Sequence, residues 1–83
     1  MKVIFILIGH RVEEAVKVQS VLSEFGDVIK TRLGINRELS QNDRASGFIF
    51  LELCGDDERG DRLCQALNQI PDVKAECLRI ELP

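Results

Sequence analysis

The sequence predicts an α+β fold with the element order β-α-β-β-α-β, and three observations carry that prediction. Strand-like apolar runs alternate along the chain with segments whose apolar residues recur every three or four positions. The two halves match at an offset of 45 residues, which pairs Ile4 with Ile49, Phe5 with Phe50, Glu13 with Glu58, Leu22 with Leu67, Asp27 with Asp72 and Val28 with Val73. Finally, 83 residues, 45% hydrophobic and 30% charged, describe one small domain spanning 1–83 with no room for a second.

The elements follow in order. Val3-Ile-Phe-Ile-Leu-Ile8 is a β-branched and aromatic run closed by Gly9, too short for a helix, and reads as a central strand. From Val12 to Phe25 the residues Val12, Ala15, Val16, Val18, Val21, Leu22 and Phe25 form an apolar stripe with Glu13, Glu14, Lys17 and Glu24 between them. This predicts an amphipathic helix that Gly26 ends with a left-handed backbone. Asp27 to Leu33 predicts a second strand ended by Gly34. The polar stretch from Asn36 to Gly47 is a surface loop rich in turn formers. Gly47 to Leu53 is the third strand. Asp56 to Ile70 places Leu63, Cys64, Leu67 and Ile70 at helical spacing, with Asp56 or Asp57 as N-cap and Pro71 as the stop. Val73 to Leu82 is the last strand, whose inward parity shifts between Cys77 and Leu78 and so predicts a bulge or a departure from the sheet. A duplicated split β-α-β unit builds a ferredoxin-like plait: four antiparallel strands, two helices on one face, strands one and three central.

Glu52 sorts the faces of the third strand. Ile49, Leu51 and Leu53 point to the helices, and Phe48, Phe50 and Glu52 point away. Carried back by 45 residues, the same alternation sends Ile4, Ile6 and Ile8 inward and leaves Val3, Phe5 and Leu7 on the outer face. Phe5, Leu7, Phe48 and Phe50 then form an apolar patch that no element of the chain covers, which predicts self-association as a dimer or tetramer, the alternative being that the long loop or the chain terminus folds over it.

Composition limits the function. Eleven Lys and Arg against 14 Asp and Glu give a formal net charge of -3, the wrong sign for nucleic-acid binding. Phe48 and Phe50 would suit RNA stacking on a plait sheet, but a basic surface is missing. Six apolar residues are too few for a membrane span or a signal peptide, so a cytoplasmic chain is expected. Cys54, Cys64 and Cys77 are odd in number and lack C-x-x-C spacing; they read as buried free thiols. With a single histidine and scattered cysteines, neither a metal site nor a cofactor is expected.

Two stretches carry candidate chemistry. Gly9-His10-Arg11 sits at the junction of the first strand and first helix, where the helix N-terminus favours an anion. Arg32 interrupts an apolar strand and Gly34 follows it, so Arg32 and Gly34 join Gly9, His10 and Arg11 as candidate ligands for a small anionic or amino-acid-like molecule. Asp56, Asp57, Glu58 and Asp61 read as the acidic first turn of a helix. No nucleophile and base can be paired by spacing, so catalysis is not expected.

Thr31-Arg-Leu-Gly-Ile35, the polar loop after it, the strand Gly47 to Leu53 and the ending Leu67 to Ala75 resemble the small ACT-like proteins known as iron-only hydrogenase system regulators. These are similar to ligand-sensing ACT domains and to the C-terminal domain of nickel-responsive repressors. The resemblance covers nearly the whole chain and is most specific at Arg32, Leu33 and Gly34. It implies a single ACT-like domain, oligomeric, with a regulatory role and a ligand near the turn after the first strand, where Gly9 lies. The nickel-repressor likeness does not extend to ligands, because this chain has only His10, and the DNA-binding segment is missing. The expectation is a non-catalytic module that senses a small ligand or modulates a protein partner. The alternatives are a small acylphosphatase-like or monooxygenase-like enzyme using Arg32 or His10, and a purely structural assembly protein.

Overall fold

In the computed structural model, residues 1–9, 12–37 and 45–83 are described. Their elements are β1 (Lys2–Ile8), α1 (Val12–Glu24), a 3-10 turn (Gly26–Val28), β2 (Ile29–Asn36), β3 (Gly47–Leu53), α2 (Asp57–Asn68) and β4 (Val73–Arg79). The strands form one antiparallel sheet in the order β2-β3-β1-β4, the ferredoxin-like βαββαβ arrangement expected. The long run of β-branched residues in β1 is explained by this order, since β1 is hydrogen-bonded on both sides.

Ile4, Ile6, Ile49, Leu51 and Leu53 from the central strands meet Val18 and Leu22 of α1 and Leu63 and Leu67 of α2 in one buried core. Leu22 and Leu67, equivalent across the repeat, occupy corresponding places in it. Asp56 caps α2 by accepting 2.9 Å from the Glu58 N–H, and Pro71 follows the helix end as expected. At the far end of α2, Asn68 donates 3.0 Å to Ala75 O and accepts 2.8 Å from Ala75 N, which clamps the helix to the outer edge of β4.

Four expectations change. The stripe of α1 is rotated, so that Glu14, Val18 and Leu22 face inward while Val12 and Val16 face out, Val16 at 62% exposure. The phase is set where Val18, Leu22 and Phe25 enter the core, and the rigid helical repeat carries Glu14 in with them, 4% exposed. Its Oε2 has no hydrogen-bond partner among the described residues. Gly26 does not adopt a left-handed backbone; it opens a 3-10 turn that buries Val28, and β2 starts only at Ile29. Nor does Gly34 end β2, because the ladder with β3 continues to Asn36. No bulge interrupts β4, where Leu78 faces outward opposite Val3; the strand instead ends at Arg79, short of the expected Leu82, and residues 80–83 lie outside it. The bulge lies in β2 instead, between Ile29 and Thr31. The stretch 38–44, the body of the predicted loop, lies outside the described residues.

Candidate functional site

The bulge in β2 fixes which of its side chains face the helices. Beyond it, Arg32 pairs with Leu51 and Gly34 with Ile49, so Arg32, Gly34 and Asn36 lie on the helix side and Thr31, Leu33 and Ile35 on the outer side. This inverts the usual amphipathicity of a half-covered sheet, in which the apolar residues face the helices. Two features follow, one on each face.

On the helix side the polar residues and Gly34 leave a cleft of about 280 Å³ between β2, β3 and α1. Ile8, Ala15 and Ile49 contribute apolar surface to it, and Arg32, Gln19 and Ser46 supply polar groups. The Arg32 guanidinium donates through Nη2 to Gln19 Oε1 on α1. Ser46 Oγ donates 2.6 Å to Gly9 O, which ties this cleft to the end of β1.

On the outer side, the registers place four rows of strands side by side. Leu33, Phe50, Phe5 and Glu76 form one line across the sheet, and Ile35, Phe48, Leu7 and Lys74 the next. Phe5 stacks on Phe48 at 6.0 Å between ring centroids and tilts against Phe50 at 5.6 Å. These rings half-bury one another, whereas Leu7 is 41% and Leu33 56% exposed. Val3, expected in the open, is 1% exposed and lies between Glu52 and Leu78. Leu33, Ile35 and Leu78 belong to this face although only Phe5, Leu7, Phe48 and Phe50 were singled out from the sequence; the alternation of Leu33 and Ile35 with Arg32 and Gly34 was the available signal.

The candidate ligand residues do not share one cleft. Arg32 and Gly34 line the cleft above, while Gly9 lines another of about 270 Å³ with Leu7, Asp72 and Lys74. His10 and Arg11 lie outside the described residues. Gly9 has a structural explanation of its own: its N–H donates 2.8 Å to Asp72 O, and a Cβ there would collide with the Asp72 carboxylate.

Most described cations are neutralised locally. Arg59 forms a two-pronged pair with Asp27 at 2.7 and 2.8 Å and lies 4.6 Å over the Phe25 ring. The hydrogen bond from Arg59 holds the Asp27 carboxyl below its ordinary range, and the same bond raises Arg59. Lys2 pairs with Asp61, whose hydrogen bond raises the Lys2 ammonium. Arg62 pairs with Glu58 and Arg79 with Asp57, so three of the four acidic residues at the start of α2 take part in ion pairs and Asp56 acts as the cap. Among the described residues no group of three or more metal-ligating side chains occurs. Cys54 is exposed rather than buried, because it follows the last residue of β3. Cys64 and Cys77 are half-buried and meet between α2 and β4; burial, then the nearby Cys77, pushes the Cys64 thiol up.

The fold and these two faces define a ferredoxin-like α+β protein with an apolar sheet face that no described element covers and a polar-rimmed helix-side cleft. The uncharacterized protein TM1266 from Thermotoga maritima is similar over 96% of this chain and 95% of its own, at 22% identity and a TM-score of 0.80. A ferredoxin-like protein of unknown function from Thermobifida fusca, described as dimeric, is similar over 95% of this chain and 89% of its own, at 11% identity and a TM-score of 0.50. At these identities the likeness establishes the fold alone. No family model and no curated protein matches the chain. Among the described residues no helix is long and apolar enough to cross a membrane.

Proposed function

We propose that this chain is a non-catalytic, ACT-like regulatory module that assembles with a second copy of itself through its outer sheet face and responds to a small ligand or a protein partner. The observation that carries the reading is the inverted edge strand: β2 turns Leu33 and Ile35 away from its own helices, beside Phe48, Phe50, Phe5 and Leu7. Among the described residues no element packs over that face. Four strands about 4.8 Å apart and seven residues at about 3.3 Å each give it roughly 400 Å² in plan. An ordinary interface buries roughly 800 Å² per partner, so the contact would take in the rim of the face as well as its centre. Its apolar centre is edged by Glu52, Lys74 and Glu76, the core-and-rim arrangement of a contact surface.

A self-complementary face suits a two-fold dimer, the commonest homo-oligomer. The dimeric description of the Thermobifida fusca protein accords with this, and the regulatory part rests on the resemblance carried by Arg32, Leu33 and Gly34. Sedimentation velocity at micromolar concentration is expected to show a dimer or larger species, with Phe50→Asp shifted toward monomer because the contact would desolvate its charge. A wild-type protein that sediments as a single monomer overturns the reading.

A further inference from the structure

The cleft beside Gly34 has a feature the fold does not require. Glycine within a strand weakens it and usually answers to a close approach or an unusual backbone. Gly34 shows neither. Its φ is not in the left-handed region, and a Cβ built there would meet only Ile49 Cγ1 at 3.9 Å, an ordinary contact. A larger side chain would fit the strand and fill the cleft. The missing side chain is therefore space kept open between β2 and α1.

The charge beside that space is also unusual. Arg59, Arg62 and Arg79 each pair with a carboxylate, whereas Arg32 is held by the neutral amide of Gln19. One guanidinium, held by Gln19 beside Ile8 and Ile49 and with most of its five N–H donors unpaired among the described residues, matches one negative charge attached to a short apolar body. A phosphate would bring about 1.5 to 2 negative charges against the one cation that lines the cleft among the described residues. Arg32 and Gly34 are two positions apart on one strand face, so the cation and the opening are set by one local sequence.

We infer that the cleft between α1 and β2 binds a small monocarboxylate with a short apolar body, the carboxylate on Arg32 and the body over Gly34. This rests on the ligand-responsive reading above and gives it a place and a ligand class. The cleft lies on the helix side of the sheet, opposite the proposed assembly face, so the two can fail separately.

The test uses isovalerate, leucine, isovaleramide and inorganic phosphate as probes, titrated into isotope-labelled protein and followed through backbone amide shifts. Isovalerate and leucine should move the amides of Gly34, Asn36, Gly47 and Ile49, while isovaleramide and phosphate should not. Arg32→Gln should weaken isovalerate binding at least about tenfold, the cost of one charge-assisted hydrogen bond. Gly34→Leu should abolish it, and Gly34→Ala should weaken it less; retained wild-type dispersion in the spectra shows that each variant folds. Both sets of variants should still self-associate. No shift at millimolar isovalerate or leucine, or equal binding by wild type, Arg32→Gln and Gly34→Leu, overturns the inference. Phosphate binding in place of isovalerate also overturns it. A wild-type monomer that binds isovalerate in this cleft would instead overturn the assembly reading and leave this one standing.

Discussion

At the scale of single residues, the turn before β4 shows how a candidate ligand residue acquires a structural role. Asp72 is a non-glycine residue with φ 63°, a conformation that costs on the order of 1 kcal/mol or more. It holds that shape while its carbonyl accepts from Gly9 and its carboxylate fills the place of a Gly9 side chain. Gly9→Ala should therefore destabilise the protein by about 1–3 kcal/mol through overpacking. Asp72→Gly removes both the obstructing carboxylate and the left-handed penalty, so the double variant should unfold at higher urea than Gly9→Ala alone. Equal unfolding midpoints for wild type and Gly9→Ala would show that the carboxylate swings away freely. Arg32 and Gly34 stand in contrast, since neither is consumed by the fold.

At the scale of elements, β4 is an edge strand and needs its free backbone groups managed. Asn68, one turn before the end of the α2 stop signal, supplies its amide to both the N–H and the C=O of Ala75. This blocks the middle of that edge and fixes the helix against the strand at the same time. Asn68→Ala should cost about 1–3 kcal/mol, because the Ala75 groups lose their partners in a partly buried setting. Amide exchange at Ala75 should accelerate as well. Unchanged exchange there, with stability intact, would mean the clamp is not formed in solution. The other edge, β2, carries no comparable clamp among the described residues and instead turns its apolar side outward.

At the scale of the whole molecule, a chain of 83 residues buries only about 60–65% of the surface its unfolded form exposes, which leaves a thin margin of stability. Covering the outer face with a second copy links folding to association. The melting temperature should then rise with protein concentration, and Phe50→Asp should lose that dependence. Differential scanning calorimetry over a hundredfold range of concentration measures it. A wild-type transition that stays fixed across the range would argue that the face is bare in solution.

The sequence by itself determined the element order, the two central strands and the inward residues of β1 and β3, because a two-residue period and a 45-residue repeat are local patterns that each segment carries within it. It also marked Arg32 and Gly34 as anomalous. Only the tertiary structure decided the phase of α1, where Val18, Leu22 and Phe25 in the core drag Glu14 inward against its polarity. The structure likewise decided the facing of β2. One bulged residue between Ile29 and Thr31 sets whether Leu33 or Arg32 meets the helices, and a slip of one position exchanges the two faces of a strand. Such a slip leaves little trace in a short, mixed segment, yet it places the open cleft under α1 and the apolar row on the far side of the sheet.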